Sequence, residues 1–129
     1  MCYNTIVAQI GRDALMEKKK SFVYILHCAD DTLYTGYTTD LDRRLKEHQM
    51  GSKKCKYTMA KIRRPVEMVS SWEIEGPRGH ALRIEAFIKK LSKKKKQELI
   101  TSPNVLKDWF FTRTGDTILC EEISKTNIK

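Results

Sequence analysis

Long hydrophobic runs are missing from this sequence: no apolar stretch approaches the roughly 20 residues that a membrane-spanning helix needs. Residues 1–20 also lack the order of a secretory signal, in which basic residues precede a long apolar stretch. The chain has 129 residues, of which 40% are hydrophobic and 32% charged, and this suits one folded domain with a modest core. We therefore expect a cytoplasmic protein that does not bind a membrane.

Closely paired cysteines are missing as well. The four cysteines stand at positions 2, 28, 55 and 120, and no two of them have C-x-x-C spacing. Because zinc sites use ligands that lie close together in pairs, this spacing argues against a metal site built from cysteine. Cys28 ends an apolar run and is predicted to be a reduced core residue.

Acidic residues are the minority charge, with 16 Asp and Glu against 25 Lys and Arg, for a net charge of +9. Basic clusters attract phosphate polymers because binding releases counterions. A solvated basic surface is the alternative, and a membrane surface is disfavoured because no amphipathic anchor is evident. The clustered residues predicted to contact nucleic acid are Lys53, Lys54, Lys56, Arg63, Arg64, Lys89, Lys90, Lys93, Lys94, Lys95 and Lys96.

Two runs rich in β-branched and aromatic residues, 22–28 and 32–38, predict a pair of strands joined as an antiparallel hairpin. Tyr24 and Tyr34 share a face of this hairpin only if the loop has an odd length, since one step of register turns every side chain over. If both tyrosines serve one site, the loop must have three residues and pair Tyr24 with Gly36, or a bulge must lie there. Glycine inside a strand usually marks the close approach of another backbone or of a ligand.

The remaining elements follow from caps and periodicity. Thr39 or Asp40 can begin a helix that Gly51 ends, and alternation over residues 66–75 predicts a third strand with one wet face. Helices are predicted at residues 80–91 and after Ser92. The fold class is therefore α+β, a small three-stranded antiparallel sheet flanked by helices in the order β-β-α-β-α-α.

Residues 21–100 form the predicted domain, preceded by an N-terminal extension over residues 1–20. The tail, residues 101–129, is expected to pack on the domain through its aromatic side chains, with a hairpin turning at residues 114–116 as one option.

Residues suited to chemistry on phosphates follow one another in a fixed order along these elements. The stretch "FVY" (residues 22–24) precedes "YTG" (34–36), then "TDLDRRLKEH" and finally "EAFIKKLSKKKK". This order resembles the GIY-YIG endonuclease superfamily, and most closely its small stand-alone bacterial members, which are related to the nuclease domain of the excision-repair protein UvrC. The resemblance extends over roughly residues 21–100.

The resemblance implies a metal-dependent endonuclease that hydrolyses phosphodiester bonds of DNA, with branched or damaged DNA and a role in repair or recombination as the finer expectation. It implies that Tyr24 and Tyr34 are catalytic, with Tyr24 favoured as the base. It further implies that Arg44 binds phosphate, that His48 lies beside it, and that Glu85 holds one Mg²⁺ or Mn²⁺ ion.

Departures from the family pattern keep other functions open. Phe22 stands in place of the first glycine, Thr35 in place of an aliphatic residue, and Tyr37 where repair-type members have lysine. One alternative is a non-catalytic nucleic-acid-binding module on the same fold, and another is a protein-interaction domain. A partner protein that targets the chain to its substrate is also compatible with the small size, but no motif identifies one.

Overall fold

The computed structural model of the chain describes residues 20–123. The predictions made for residues 1–19, including most of the N-terminal extension, and for residues 124–129 lie outside the described part. Within residues 20–123 no helix combines the length and the apolar character that crossing a bilayer requires.

The first two strands, β1 (Ser21–Cys28) and β2 (Leu33–Thr38), form the predicted hairpin. Tyr24 lies opposite Gly36, so the predicted register is confirmed. The loop contains residues 29–31, and its last residue, Asp31, has a left-handed φ of 67°. Aspartate tolerates this conformation better than most residues do. The loop therefore closes with three residues, and this odd length places both tyrosines on one face.

Helix α1 (Leu41–Met50) follows β2 directly and has the predicted caps. The Asp40 carboxylate accepts a hydrogen bond from the Arg43 backbone N–H at 3.1 Å, and Gly51 ends the helix with a φ of 70°. A side-chain acceptor at the N-cap satisfies one of the free N–H groups of the first turn. The helix thereby begins within three residues of the hairpin and lies over the face that carries the tyrosines.

The third strand, β3 (Val66–Ile74), lies beside β1 and contains an irregularity that the sequence did not predict. Its pairing to β1 shifts between Ile25 and Leu26, so that Val69 becomes the extra residue of a bulge. The bulge places Met68 on the tyrosine face and Trp72 on the opposite face. The predicted single wet face is therefore wrong, because both faces of the sheet are covered.

Three α-helices and a short strand follow β3: α2 (Arg78–Lys89), α3 (Lys93–Thr101), α4 (Leu106–Thr114) and β4 (Cys120–Glu122). Short 3-10 helices lie at Lys56–Met59, Lys61–Arg63 and Pro103–Val105. Strand β4 pairs with β3, so the sheet has four strands in the order β2-β1-β3-β4 rather than the predicted three. The hairpin considered for residues 114–116 is wrong too, because a helix ends there at Gly115. A three-residue strand shows too little alternation to be detected from sequence.

The sheet separates two cores. Helices α2, α3 and α4 provide the larger core on one face, while α1 and residues 52–64, here called the basic loop, cover the other. The buried side chains of the larger core are Val23, Ile25, Trp72, Ile74, Ala81, Ile84, Ile88, Leu99, Leu106, Phe110 and Ile118. The smaller core contains Tyr24, Leu26, Cys28 and Val66, with Tyr34, Leu41, Leu45, Tyr57 and Met68 packed against it. The tyrosines thus lie in a compact layer between the sheet and the basic loop.

Candidate active site

Tyr24, Tyr34 and His48 form the centre of the smaller core. The ring centroids of Tyr24 and Tyr34 are 6.4 Å apart, and the His48 ring lies 5.7 Å from the first and 5.4 Å from the second. The hairpin register positions the two phenols, and His48 reaches them from the last turn of α1. Three side chains from separate elements are therefore in direct contact.

His48 is fully buried and makes a hydrogen bond through each ring nitrogen. Its Nε2 lies 2.8 Å from the Tyr24 hydroxyl, and its Nδ1 lies 2.8 Å from Oγ1 of Thr58. Thr58 donates its own hydroxyl proton to the Cys55 carbonyl at 3.3 Å, which leaves Oγ1 to accept from His48. We infer the tautomer that carries its proton on Nδ1, with Nε2 accepting from Tyr24.

Burial controls the charge of these groups. Burial first, and then the positive charge of Arg44, lowers the pKa of His48 to about 4. Burial also raises the pKa of Tyr24, an effect that the adjacent Arg44 guanidinium partly offsets, and burial raises the pKa of Tyr34. At neutral pH the centre therefore holds uncharged phenols and an uncharged imidazole.

Arg44 lies beside Tyr24, and each of its two terminal nitrogens makes one hydrogen bond within the protein. Its Nη1 donates to Glu47 at 3.0 Å and its Nη2 to the carbonyl of Lys54 at 3.3 Å. The Nε atom is buried and has no hydrogen-bond partner among the described residues. Glu47 pairs with Arg44 rather than with Arg43, which lies near Asp40 instead. An N–H group left unpaired costs about 1–3 kcal/mol, which is compensated if an anion or a phenol oxygen moves within its reach.

Glu85 lies on α2, with its side chain 18% exposed and its Oε2 atom 3.3 Å from Nζ of Lys89. Its negative charge raises the pKa of Tyr34, while the positive charges of Lys89 and Arg44 lower it, although burial has the larger effect. Glu85 is therefore close enough to act electrostatically on the tyrosine layer. Its helix packs on the opposite face of the sheet from the smaller core, and its side chain is only partly exposed.

The donor set limits which metal ion this site can hold. Within residues 20–123 no three His, Cys, Asp or Glu side chains come together, so no side-chain cage of the kind that zinc prefers is present there. Glu85 offers one partly exposed carboxylate, already near a cation. One carboxylate, with water and substrate oxygens as the other ligands, is a common arrangement for Mg²⁺, and the residues fit an ion held in this way.

The basic loop contributes two residues that the sequence did not single out, Tyr57 and Thr58. The Tyr57 ring stacks on Tyr34 with centroids 5.0 Å apart and planes inclined by 25°. The guanidinium of Arg63 lies 3.9 Å from the centroid of Tyr57, and Arg63 is held in turn by Asp30 at 3.2 Å. The loop has no hydrophobic period, and its positive charge was the only signal that sequence provided.

The side chains predicted to contact nucleic acid differ in how many hydrogen bonds and ion pairs they already make within the protein. Arg63 hydrogen-bonds Asp30 and the carbonyl of Tyr57, and Arg64 donates to the carbonyl of Met59 at 3.4 Å. Both arginines thereby fix the loop. Ion pairs join Lys54 to Glu47, Lys89 to Glu85, Lys93 to Asp31 and Lys95 to Glu98, while Lys96 is half-buried. The other four, Lys53, Lys56, Lys90 and Lys94, are exposed.

Gly36 makes room for the Tyr24 phenol. A Cβ atom at this position would overlap the Tyr24 hydroxyl, so the close approach predicted for this glycine involves a side chain rather than a backbone or a ligand. We expect Gly36→Ala to push the phenol away from His48 and to lower the free energy of unfolding by about 1–3 kcal/mol. Urea denaturation measures this change. Gly79→Ala is the control, because open space surrounds its position, and an equal loss in both variants would contradict the steric account.

The depressed pKa of His48 predicts a pH-dependent stability. An unfolded histidine titrates near 6.5 and the folded one near 4, so between these values the unfolded chain binds the additional proton. The free energy of unfolding should therefore have its full value above pH 6.5. It should fall as the pH is lowered toward 4, by up to about 3 kcal/mol. Urea titrations of the parent and of His48→Gln measure it. The difference in the free energy of unfolding between the two proteins should shrink as the pH falls from 6.5 to 4. A difference that stays constant over this range would contradict a neutral His48.

Thr58 is predicted to determine the tautomer of His48. In Thr58→Val the shape is kept but Nδ1 loses its acceptor, which should destabilise the protein by about 1–3 kcal/mol. It should also allow the proton to move to Nε2. Nitrogen-15 chemical shifts of the imidazole report the tautomer, and Thr58→Ser, which keeps the hydroxyl, should retain the parent spectrum. Identical imidazole shifts in Thr58→Val and the parent would show that another group fixes the proton.

Comparisons with known proteins identify a family and several similar sequences. The family described as the GIY-YIG catalytic domain matches residues 20–98. The UPF0213 protein of Syntrophus aciditrophicus (strain SB) is 47% identical over 81 residues, which are 63% of this chain and 90% of the relative. UPF0213 protein YazA of Bacillus subtilis (strain 168) is 38% identical over 103 residues, which are 80% of this chain and 100% of the relative.

A solved structure is also similar. The solution NMR structure of UPF0213 protein BH0048 from Bacillus halodurans has 43% sequence identity, covers 64% of this chain and 83% of its own, and gives a TM-score of 0.41. The family match extends over more than half of the chain and contains every predicted catalytic residue. The chain therefore belongs to the GIY-YIG family, a nuclease family, and is similar to its small stand-alone UPF0213 members.

Proposed function

We propose that this protein is a metal-dependent endonuclease that hydrolyses phosphodiester bonds of DNA. The observation that carries the proposal is the hydrogen-bonded series from Tyr24 through His48 to Thr58, with the Arg44 guanidinium beside it. A proton acceptor next to a fixed cation is what hydrolysis of a phosphodiester needs: one group takes the proton of the attacking water, and the other stabilises charge on the phosphate.

Tyr24 stays protonated at neutral pH because burial raises its pKa, so no phenolate is present to act as the base alone. The hydrogen bond to Nε2 of His48 provides a solution. As the Tyr24 oxygen accepts a proton from water, it passes its own proton to Nε2, so that no free phenolate forms. The positive charge then resides on the imidazolium, whose Nδ1–H remains bonded to Thr58.

A bound phosphate favours this transfer. The positive charge of Arg44 is one of the causes that lower the pKa of His48 to about 4. A phosphate next to Arg44 neutralises that charge and raises the pKa of His48, which makes the imidazole a better acceptor. In the free protein, Tyr24 and His48 therefore do not act as an acid–base pair, and a bound substrate phosphate is needed for them to do so. The phosphate must compete with Glu47 for the Arg44 donors.

The other residues have supporting roles in this proposal. Glu85 would hold one Mg²⁺ or Mn²⁺ ion, which when bound stabilises negative charge on the phosphate and the leaving oxygen. Tyr34, fixed between Tyr24 and Tyr57, orients the attacking water. The exposed lysines on the loop and on α2 and α3 bind the backbone through counterion release, which gives affinity without base sequence specificity.

Incubating the purified protein with linear and branched DNA, in Mg²⁺ or Mn²⁺ and in EDTA, tests the proposal. We expect metal-dependent strand cleavage that Arg44→Ala and Glu85→Ala abolish. Glu73→Ala is a matched control, since Glu73 is a partly buried carboxylate on β3 rather than in the site. Cleavage that persists in both site variants would point to a contaminating nuclease and contradict the proposal.

A non-catalytic nucleic-acid-binding module is the second candidate. It is favoured by the free state of the site, in which Glu47 engages Arg44 and both Tyr24 and His48 are held in forms that do not exchange a proton easily. This candidate predicts salt-dependent DNA binding that survives Arg44→Ala and Glu85→Ala, without cleavage of any substrate. Negligible binding at about 50 mM salt, where phosphate contacts are strongest, would favour a protein-interaction domain instead.

A further inference from the structure

The basic loop is fixed to the candidate active site along its inner side. Thr58 bonds His48, and the Tyr57 ring stacks on Tyr34. The backbone of Ala29, in the hairpin loop, donates to the carbonyl of Arg63 at 3.1 Å. Anything that the outer side of the loop binds is therefore held at a set distance from the tyrosines.

The outer side of the loop exposes large apolar side chains. Met59 is 43% exposed and Ile62 is 70% exposed, and Met50, at the end of α1, is 74% exposed. These are half of the six large apolar side chains that are exposed in the part of the chain that the structure describes. Arg64 connects them, because its guanidinium lies against Gly51 and donates to the carbonyl of Met59.

The same loop also carries cations. The exposed lysines of the same loop are Lys53, Lys54, Lys56 and Lys61. A second copy of this chain, with its net charge of +9, would be repelled from such a surface, and a neutral apolar partner would leave the lysines without counter-charges. A polyanion with apolar surfaces between its charges complements both features, and nucleic acid, with phosphates outside and stacked bases inside, has this chemistry.

We propose that the basic loop recognises a duplex at a distorted or unpaired step, with its lysines on the backbone phosphates and the Met59 and Ile62 side chains against the exposed base faces. Apolar wedges of this kind kink duplexes by partly unstacking a base step. Opening a step costs least where it is mismatched or unpaired, so the loop would bring such a step to the tyrosines. The inference rests on the proposed function and gives its substrate class.

Binding measured in EDTA tests the inference separately from cleavage. Two duplexes of the same length, one fully paired and one with a central mismatch flanked by 2-aminopurine, are titrated with the parent and with Met59→Ser/Ile62→Ser. For the parent we expect tighter binding to the mismatched duplex and a change in 2-aminopurine fluorescence. In the double variant the ratio of the two affinities should fall about tenfold, which corresponds to losing part of the burial of one such side chain.

Two further variants separate the contributions. Leu119→Ser removes an exposed apolar side chain outside the basic loop and should keep the parent ratio. Lys53→Gln/Lys54→Gln/Lys56→Gln should weaken binding to both duplexes and reduce the slope of log affinity against log salt by about 0.9 for each phosphate that the variant no longer neutralises.

The outcomes distinguish the inference from the proposed function. An unchanged affinity ratio in Met59→Ser/Ile62→Ser, or a parent that dimerises through this surface in sedimentation, overturns the inference even if the protein cleaves DNA. A mismatch preference that depends on Met59 and Ile62, in a protein that cleaves nothing, supports the inference and contradicts the endonuclease.

Discussion

Tyr24→Phe is expected to lower the rate of DNA cleavage by about 10²–10⁴-fold, the range in which a positioned acid–base group contributes. Phenylalanine keeps the ring that fills the space over Gly36, but removes the hydroxyl that bonds Nε2 of His48. The buried acceptor left behind costs about 1–3 kcal/mol of stability. The variant should remain folded, so that a single-turnover assay at saturating protein measures the chemical step.

Tyr34→Phe is the matched control for this prediction. Tyr34 has the same side chain as Tyr24 and lies on the same face of the hairpin. It makes no hydrogen bond to His48, because the two ring nitrogens of His48 bond Tyr24 and Thr58. Loss of the Tyr34 hydroxyl should reduce the rate much less, because the relay through His48 persists. The reverse result, with Tyr24→Phe active and Tyr34→Phe inactive, would assign the base to Tyr34 and overturn the proposed relay.

Glu85→Gln is expected to abolish metal-dependent cleavage at ordinary metal concentrations. The substitution removes the negative charge that would hold the ion while keeping the size of the side chain. A metal ion is worth several kcal/mol to the transition state, so the cleavage rate should fall by about 10³-fold or more. Cleavage rates over a series of Mn²⁺ concentrations measure the effect, and high concentrations should partly restore the rate.

Binding to DNA distinguishes this role from a general loss of structure. Removing one negative charge from a basic surface should leave DNA affinity in EDTA unchanged or slightly higher, whereas a misfolded variant would lose it. Lys89→Gln disrupts the same ion pair from its other side and serves as the control for the pair itself. If Lys89→Gln loses as much activity as Glu85→Gln, the ion pair rather than the carboxylate is what the site needs.

The hairpin shows how far local rules extend. The odd number of residues in the loop followed from the requirement that Tyr24 and Tyr34 share a face. The observed register confirms it. Helix α1 was equally predictable, because Asp40 and Gly51 are strong local end signals. Both features depend on residues close together in sequence, so a pattern within one segment was sufficient.

The roles of His48 and Thr58 required the folded chain. Burial and two hydrogen bonds make His48 a neutral acceptor for Tyr24. Thr58 lies in a loop with no periodic pattern, and its contact to His48 joins residues ten apart through the packing of that loop on α1. No local signal marks a residue whose importance comes from one buried hydrogen bond.

The sequence by itself determined the β-β-α-β-α-α order, the hairpin register and the α1 caps, because each of these depends on neighbouring residues and short-range sterics. The catalytic candidates came from the resemblance to a known family. Only the tertiary structure decided the fourth strand, the bulge at Val69, the engagement of Arg44 by Glu47 and the uncharged state of the tyrosine–histidine layer. The physical reason is that strand pairing, ion-pair choice and pKa depend on which distant groups exclude water from one another, and this exclusion exists only after the two cores have packed.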